Sequence, residues 1–297
     1  SIGTFVSTYA PHSMQFWNSA QSSSGYLPFT GSSAMANKYS MELDGGSADY
    51  IDAGSASLSL ISASAYTVAG WYKQTTLDEV AGLWNLGSDL VQSVYTYSDG
   101  MIYFDVRNGA SSYGKFDYST VVTAGEWFHT AAVFDGGQSG NAKLKFYIDG
   151  RVVPLTYNAT MPTNTSIVKS DLRIGTSPLG GTPSWNGSID EVAVWSVALS
   201  ASAVSEIYNG GIPVDLSSNK GAYDQSSNMS AWLRMGDSAS FDGSNWSIYD
   251  SSGNGVSGST SGSSVSLTRT ARVTDTPPTM VNTLRAPYPV ALSGSKA

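Results

Sequence analysis

The chain has 297 residues, of which only 13% are charged, and its formal net charge is −8. Because contacts to phosphates need clustered Lys and Arg, this composition argues against a nucleic-acid-binding surface. The absence of Cys excludes disulfides and thiolate metal sites, and no apolar run approaches the roughly 20 residues that span a bilayer.

Residues 1–38 show no sustained hydrophobic period, but they contain many aromatic side chains among Ser, Gly and Pro. Disordered linkers are usually poor in aromatic residues. We therefore predict an extended arm that packs either on its own domain or on a neighbouring subunit. The aromatic residues expected to make these assembly contacts are Phe5, Tyr9, Phe16, Trp17, Tyr26 and Phe29.

From residue 39 to 211, strand patterns alternate with turn signals at the spacing typical of a β-sandwich. In residues 65–73, for example, Val68, Gly70 and Tyr72 share one face of the predicted strand. Asp149-Gly150 is a strong hairpin-turn dipeptide between two such strands. These patterns predict an all-β domain.

The stretch 187–210, GSIDEVAVWSVALSASAVSEIYNG, combines a strand with a helix. Its first part alternates with a period of two, as in a strand whose faces meet different surroundings. Apolar residues then recur at helical spacing behind Ser200 and Ser202, which are suitable N-caps, and Asn209-Gly210 is a suitable stop. We predict one short helix near residues 200–209.

This stretch resembles the closing segment of the laminin-G-like, or concanavalin A-like, jelly roll. Other parts of the chain resemble strands of the same family, namely YSMELDGGSADYIDAG (39–54), AYTVAGWYK (65–73), GEWFHTAAVFDG (125–136), KLKFYIDGRVV (143–153) and DLRIGTSP (171–178). The resemblance covers about residues 39–211. It implies a two-sheet jelly-roll sandwich.

Residues 212–275 contain SAWLRMGD (230–237) and IYDSSGNGVSGSTSG (248–262), which resemble the segment that usually precedes the opening strand of such domains. We predict that this part adds strands to the same sandwich, so that the domain covers residues 39–275. A second, truncated domain is the alternative. Residues 276–297 contain four prolines, which suit neither a helix nor a central strand. We expect a second extended arm there, with Tyr288 among its assembly contacts.

The sequence gives little sign of catalysis. Sandwich glycosidases need two carboxylates that face the same groove, whereas Asp190 and Glu191 are adjacent on a predicted strand and should point to opposite faces. A lone histidine on a core-type strand, such as His129, is more often structural than catalytic. No Gly-x-Ser-x-Gly elbow occurs. We therefore expect a protein that is not an enzyme.

Calcium is the one ion that the sequence suggests, because it prefers carboxylate and carbonyl oxygens at turns. The family resemblance implies a structural Ca²⁺ between the opening-strand turn and the closing strand, with Asp44, the Gly45 carbonyl and Asp190 as ligands. The alternative is that Asp44 caps its own turn and Asp190 accepts hydrogen bonds from backbone N–H groups.

A sugar site would need exposed aromatic rings beside amide or carboxylate groups. The alternative is that these aromatic residues belong to the core or to a subunit interface, where Tyr and Trp also collect. The candidates for glycan binding are Trp84, Asn85, Trp185, Asn186, Tyr95, Tyr97 and Tyr113.

The sandwich followed by WLRMGD, DSSGNG and VTDTP resembles virion structural proteins of marine tailed phages, and this resemblance depends mostly on residues 231–277. The resemblance implies a non-enzymatic capsid decoration, knob or fibre subunit that is made in the host cytoplasm. Such a subunit would assemble with itself or with other virion proteins through its arms, and host glycans would be further partners. The alternative is a bacterial carbohydrate-binding module, secreted or on the cell surface and calcium-dependent. Neither function needs nucleic acid or membrane as a partner.

Overall fold

The computed structural model describes residues 35–46, 49–54, 63–77, 79–86, 92–165, 172–176, 185–261 and 271–278. These residues form two antiparallel sheets and one short α-helix, α1 (Ala201–Tyr208). The strands are, in chain order, β1 (Ser40–Asp44), β2 (Tyr50–Asp52), β3 (Ala65–Gln74), β4 (Ala81–Leu86), β5 (Gln92–Thr96), β6 (Met101–Asn108), β7 (Ala110–Asp117), β8 (Trp127–Asp135), β9 (Leu144–Ile148), β10 (Arg151–Val152), β11 (Thr156–Tyr157), β12 (Leu172–Ile174), β13 (Asn186–Trp195), β14 (Met229–Leu233), β15 (Ala239–Phe241), β16 (Trp246–Ile248), β17 (Gly258–Ser261) and β18 (Arg272–Val273).

The strands are arranged as a sandwich of two sheets. The eight-stranded sheet has the order β10-β9-β8-β3-β13-β1-β18, and β14 pairs with β13 off this path. The ten-stranded sheet has the order β11-β7-β6-β5-β4-β12-β2-β17-β16-β15. The predicted all-β jelly-roll sandwich with one short helix is confirmed.

The inner faces of the two sheets enclose an aromatic core. Tyr66 of one sheet contacts Trp84 and Phe104 of the other edge-on, with both pairs of ring centroids 6.4 Å apart. All three side chains are buried. Burying large aromatic rings contributes strongly to the hydrophobic stabilisation of a fold. The period-two patterns in the sequence arise because alternate side chains of the strands are buried in this shared core.

Helix α1 covers the outer face of the eight-stranded sheet. Its residues Val204 and Ile207 are buried in a second apolar cluster with Ala69 and Trp195 of that sheet. The Ser200 hydroxyl accepts a hydrogen bond from the Ala203 N–H at 3.1 Å, which caps the first turn. Asn209 ends the helix in the left-handed conformation, with φ of 51°.

The C-terminal part of the described chain supplies strands to both sheets. Strand β14 pairs with β13, and β18 pairs with β1, in the eight-stranded sheet. In the ten-stranded sheet, β17 pairs with β2 and carries β16 and β15 beyond it. Residues far apart in sequence thus contribute to the same core.

The register of β13 breaks at Asp190 and Glu191. Glu191 has a φ of 49°, and the pairing of β13 with β3 shifts between Asp190 and Ala193. In a β-bulge, two residues of one strand oppose a single residue of its partner, so the normal alternation is interrupted. Asp190 lies opposite Trp71, and Glu191 lines the same outer face beside Trp71. The prediction that these two carboxylates point to opposite faces is therefore wrong.

In the described part of the chain, no helix has both the length and the apolar character needed to cross a membrane.

Candidate functional site

The outer face of strands β5, β6 and β7 carries a cluster of tyrosines among charged side chains. In β6, Ile102, Phe104 and Val106 are buried in the core, so that the alternating residues between and after them point outward. The neighbouring strands place their own polar and aromatic residues on the same side. We call this surface the tyrosine face, and it consists of Tyr95, Tyr97, Asp99, Tyr103, Asp105, Arg107, Ser111, Tyr113 and Lys115.

Tyr103 is the centre of the tyrosine face. Its ring stacks on that of Tyr95, with centroids 5.2 Å apart and planes at 7°. The rings of Tyr97 and Tyr113 approach it edge-on, at 6.0 Å and 5.1 Å. Tyr97 lies at the end of the cluster with 39% of its surface exposed, so the cluster presents an accessible aromatic ring.

A hydrogen-bonded triad holds the Tyr103 ring in place. The Tyr103 hydroxyl donates to Asp99 Oδ2 at 2.8 Å, and Lys115 Nζ donates to the same oxygen at 3.2 Å. Burial raises the pKa of Asp99, but the hydrogen bonds from Tyr103 and Lys115 outweigh it and lower that pKa below its usual value. Burial, together with the hydrogen bond to Asp99, raises the pKa of the Tyr103 hydroxyl. At neutral pH, the triad therefore holds an ionised carboxylate and a neutral phenol.

Asp105 forms a second acidic position, deeper in the face. Its side chain is almost fully buried, with 2% exposed. The Ser111 hydroxyl lies 2.9 Å from both carboxylate oxygens, and Arg107 Nη2 lies 3.7 Å from Oδ2. Burial raises the pKa of Asp105 to about 6, although Ser111 and Arg107 both act to lower it.

Two polar side chains lie in register with Asp105 on the adjacent strands. Ser93 of β5 is opposite Asp105, and Asn85 of β4 is opposite Ser93. Among the described residues, Ser93 Oγ and Asn85 Oδ1 have no hydrogen-bond partner, although both atoms are buried. Buried polar atoms in native proteins are normally satisfied by protein, water or ligand. The row Asn85–Ser93–Asp105 therefore has hydrogen-bonding capacity that the described protein atoms do not use.

Comparison with known families identifies the fold. Residues 44–205, more than half of the chain, match the model of the Concanavalin A-like lectin/glucanases superfamily. The chain belongs to this superfamily. No curated protein sequence matches this concanavalin A-like chain significantly.

Several solved structures are similar to this concanavalin A-like chain. A protein from Bacteroides ovatus is 16% identical with a TM-score of 0.52, and the match covers 81% of this chain and 61% of that one. A heptameric pentraxin from Limulus polyphemus is 18% identical with a TM-score of 0.43, covering 58% and 82% of the two chains. The CBM40 of a Ruminococcus gnavus sialidase is 15% identical with a TM-score of 0.41, covering 57% and 96%. At these identities, the comparison concerns the fold alone.

The fold places some of the predicted glycan-binding residues on the tyrosine face and others in the core. Tyr95, Tyr97 and Tyr113 meet on the tyrosine face, and Asn85 lies on the adjacent strand. Trp84 and Trp185 have 0% exposure. Their rings lie in the core, which was the alternative to glycan binding for these residues. Neither ring is placed to stack on a sugar at the surface.

Asn186, the remaining glycan candidate, lies in the eight-stranded sheet opposite Asp44 of β1. The tyrosine face belongs to the ten-stranded sheet. Asn186 is therefore separate from the tyrosine cluster.

The centre of the face was not predicted from the sequence. Tyr103 and Asp105 lie in MIYFDVRNG (101–109), where a signal was present, whereas Asp99 and Lys115 lie before and after that strand. The polar residues of that strand alternate with apolar ones, as expected for one polar and one buried face. Reading the alternation of two facing strands together would have placed these residues on one surface.

The predicted calcium ligands do not meet. Asp44 is opposite Asn186, whereas Asp190 lies four residues further along β13. At a rise of about 3.4 Å per residue, this separation is about 14 Å, too far for both carboxylates to bind one ion. Asp44 Oδ1 instead accepts from the Gly46 N–H at 2.9 Å, one residue beyond Gly45. Within the described ranges, no group of three or more acidic or His side chains is placed to hold a metal.

Asp190 and Glu191 form a buried acidic cluster instead. Asp190 Oδ2 accepts from Asn37 Nδ2 at 2.9 Å, and Glu191 accepts from Trp232 Nε1 at 2.7 Å and Arg234 Nε at 3.1 Å. Burial raises the pKa of both carboxyls, that of Glu191 to about 7. A catalytic pair must reach a bound sugar, and these groups are enclosed by protein. The cluster is therefore best understood as structural.

The assembly residues predicted in the arms, Phe5, Tyr9, Phe16, Trp17, Tyr26, Phe29 and Tyr288, lie outside the described residues.

Proposed function

We propose that the protein is a non-catalytic glycan-binding domain and that the tyrosine face binds the sugar. The observation that carries this proposal is the stacked tyrosine cluster, which ends in the accessible ring of Tyr97. Sugar rings combine an apolar C–H surface with many hydroxyl groups. An aromatic ring flanked by a few fixed polar groups suits such a ligand.

The polar groups beside the rings support the same ligand. Asp99 is ionised and held in place by Tyr103 and Lys115, so it is a preorganised acceptor for a sugar hydroxyl. The family description includes lectins and glucanases, and the Bacteroides ovatus protein is named as a candidate carbohydrate-binding protein. A sugar ligand is therefore in keeping with the family.

We favour binding over glycoside hydrolysis because of how the acids are held. Hydrolysis needs two carboxyl groups that act on one glycosidic bond. Asp99 and Asp105 are each engaged by a neighbouring cation and hydroxyl group, and the Asp190–Glu191 pair is buried on the other sheet. Such acids suit fixed recognition better than proton transfer.

A glycan array with the full chain tests the proposal. Native protein should bind a subset of glycans, and Tyr97→Ala should weaken that binding at least about tenfold because it removes the exposed ring. Tyr249→Ala is the matched control, since Tyr249 is 54% exposed and its hydroxyl pairs with Ser240 outside the tyrosine face. Absence of binding, or an equal effect of both substitutions, would refute the proposal.

We also propose a second candidate function. The protein would be a structural subunit of a virion or of an extracellular surface, and it would assemble through its two arms. The supporting observation is that the chain is bound to the eight-stranded sheet where each arm meets the sandwich. Asn37 binds Asp190, while Asp275 binds Lys73 at 2.6 Å and Trp127 at 3.1 Å. The tyrosine face belongs to the other sheet, so assembly and glycan binding would use different sides.

Light scattering distinguishes this second function. The full chain should form oligomers, while a chain lacking residues 1–34 and 279–297 should be monomeric and still folded. A monomeric full chain would rule out self-assembly through the arms.

A further inference from the structure

The charged groups of the tyrosine face neutralise one another. Lys115 Nζ lies 3.2 Å from Asp99 Oδ2, and Arg107 Nη2 lies 3.7 Å from Asp105 Oδ2. Two cations and two carboxylates give the face a net charge of zero when all four are ionised. The chain as a whole carries a net charge of −8, so its long-range field repels anions rather than attracting them.

An acidic sugar would find no favourable position among these pairs. Its carboxylate would have to compete with Asp99 for Lys115, or with Asp105 for Arg107. In either place it would lie beside a protein carboxylate that is already fixed by hydrogen bonds. Juxtaposed like charges at a binding surface oppose association. The pairing of charges thus acts against anionic ligands.

The oxygen atoms available for hydrogen bonding suit hydroxyl groups. The hydroxyls of Tyr97 and Tyr113, whose rings flank Tyr103, can both donate and accept hydrogen bonds. Asn85 Oδ1 and Ser93 Oγ also lack a partner among the described residues, but both atoms are buried and do not meet a ligand at the surface. An alcohol can donate to and accept from the tyrosine hydroxyls, whereas a carboxylate only accepts.

We propose that the tyrosine face selects neutral saccharides and discriminates against sialylated and uronate-containing ones. This inference rests on the proposed glycan-binding function and assigns its ligand class. Asp99 is the residue that sets the discrimination, because its side chain is 36% exposed and it neutralises Lys115, whereas Asp105, the partner of Arg107, is only 3% exposed.

The variant Asp99→Asn provides the sharpest test. Asn keeps an oxygen that can accept from Tyr103 and Lys115, but it removes the negative charge and leaves Lys115 without its counter-ion. The ratio of affinity for acidic over neutral glycans should rise by about tenfold. The double variant Asp99→Asn with Lys115→Ala should reverse this gain, since it removes the exposed cation as well.

The experiment compares the full-length native chain and these variants on one array that pairs neutral oligosaccharides with their sialylated or uronate-substituted counterparts. The best pair is then titrated by calorimetry. The native chain should bind neutral oligosaccharides, and the Asp99→Asn variant should in addition bind their acidic counterparts.

The failures of the two proposals can be told apart. If the native chain binds acidic members more tightly and Tyr97→Ala abolishes that binding, the ligand class is wrong while glycan binding stands. An Asp99→Asn variant with an unchanged preference would also overturn the inference. If the native chain binds no member of the array, both proposals fail.

Discussion

Tyr103 provides the most informative perturbation of the tyrosine face, because two substitutions separate its ring from its hydroxyl. Tyr103→Phe keeps the stacking on Tyr95 and the edge contacts with Tyr97 and Tyr113. It removes only the hydroxyl, which donates to Asp99 and accepts from Lys115. At this partly buried position, the loss should be about 1 kcal/mol.

Tyr103→Ala removes the ring as well. Each aromatic contact contributes about 0.5–1.5 kcal/mol beyond the burial of its area, so the loss of three contacts and the hydroxyl should total about 2.5–5.5 kcal/mol. Tyr97 also loses the ring against which it is placed, so glycan binding should fall with stability in the Ala variant and largely persist in the Phe variant.

Urea denaturation gives the free energies of unfolding, and calorimetric titration with an array-selected glycan gives the affinities. Tyr249→Ala is the control, with an expected change below about 0.5 kcal/mol. If Tyr103→Ala costs less than about 1 kcal/mol, or if the Phe variant loses as much as the Ala variant, the reasoning about ring packing is refuted.

Three further predictions concern buried ionisable groups, and urea unfolding across a pH series measures all of them. The pKa of Asp105 is raised to about 6 in the fold, so its contribution to stability is present below about pH 4 and is lost as pH rises through about 6. The raised pKa values of Asp190 and Glu191 add slopes of the same sign, so Asp105→Asn should make the fall in stability between about pH 4 and 6 shallower, and an unchanged slope would contradict the assignment. The pKa of His129 is lowered to about 3 by burial, so stability is lost as pH falls from about 6.5 through about 3, by ~5 kcal/mol in total. His129→Phe should resist acid better than the native chain, and equal acid sensitivity would show that other groups dominate. Arg234→Met removes the cation beside Glu191, whose pKa is about 7. The substitution should lower the free energy of unfolding by about 3 kcal/mol at pH 8 and by less at pH 5, where Glu191 is protonated. A loss that does not depend on pH would argue against this ion pair.

The regular parts of this fold could be predicted because local patterns and tertiary packing agree. Strands with a period of two bury one face against the opposite sheet, and helix α1 is bounded by residues whose capping geometry is local, Ser200 and Asn209. The family resemblance supplied the sandwich itself. Such features depend on residues that are close in sequence, so the sequence alone could predict them.

The bulge at Glu191 could not be predicted in this way. Its left-handed backbone is accompanied by contacts from Trp232 and Arg234, about 40 residues further along the chain. The alternation rule assumes an unbroken register, and nothing local in the sequence IDEV shows where that register breaks. The error about Asp190 and Glu191 therefore comes from a long-range contact.

The candidate site was only partly predictable. A Trp-Asn dipeptide on a strand does not itself show which of its two side chains faces the core and which faces outward. Strand alternation requires that Trp84 and Asn85 point to opposite sides. The structure shows that Trp84 fills the core, which leaves Asn85 on the outer face. The three predicted tyrosines needed Tyr103 between them to form one surface, and that arrangement depends on the pairing of β5, β6 and β7.

The most direct test of the account is to locate a bound glycan by ¹⁹F NMR of the chain labelled with 3-fluorotyrosine. Single Tyr→Phe substitutions assign the resonances, and the array-selected neutral oligosaccharide is then titrated. The account predicts saturable shifts at Tyr97, Tyr103 and Tyr113 with none at Tyr249. Saturable binding that leaves the first three resonances unchanged would contradict the claim that the tyrosine face is the glycan site.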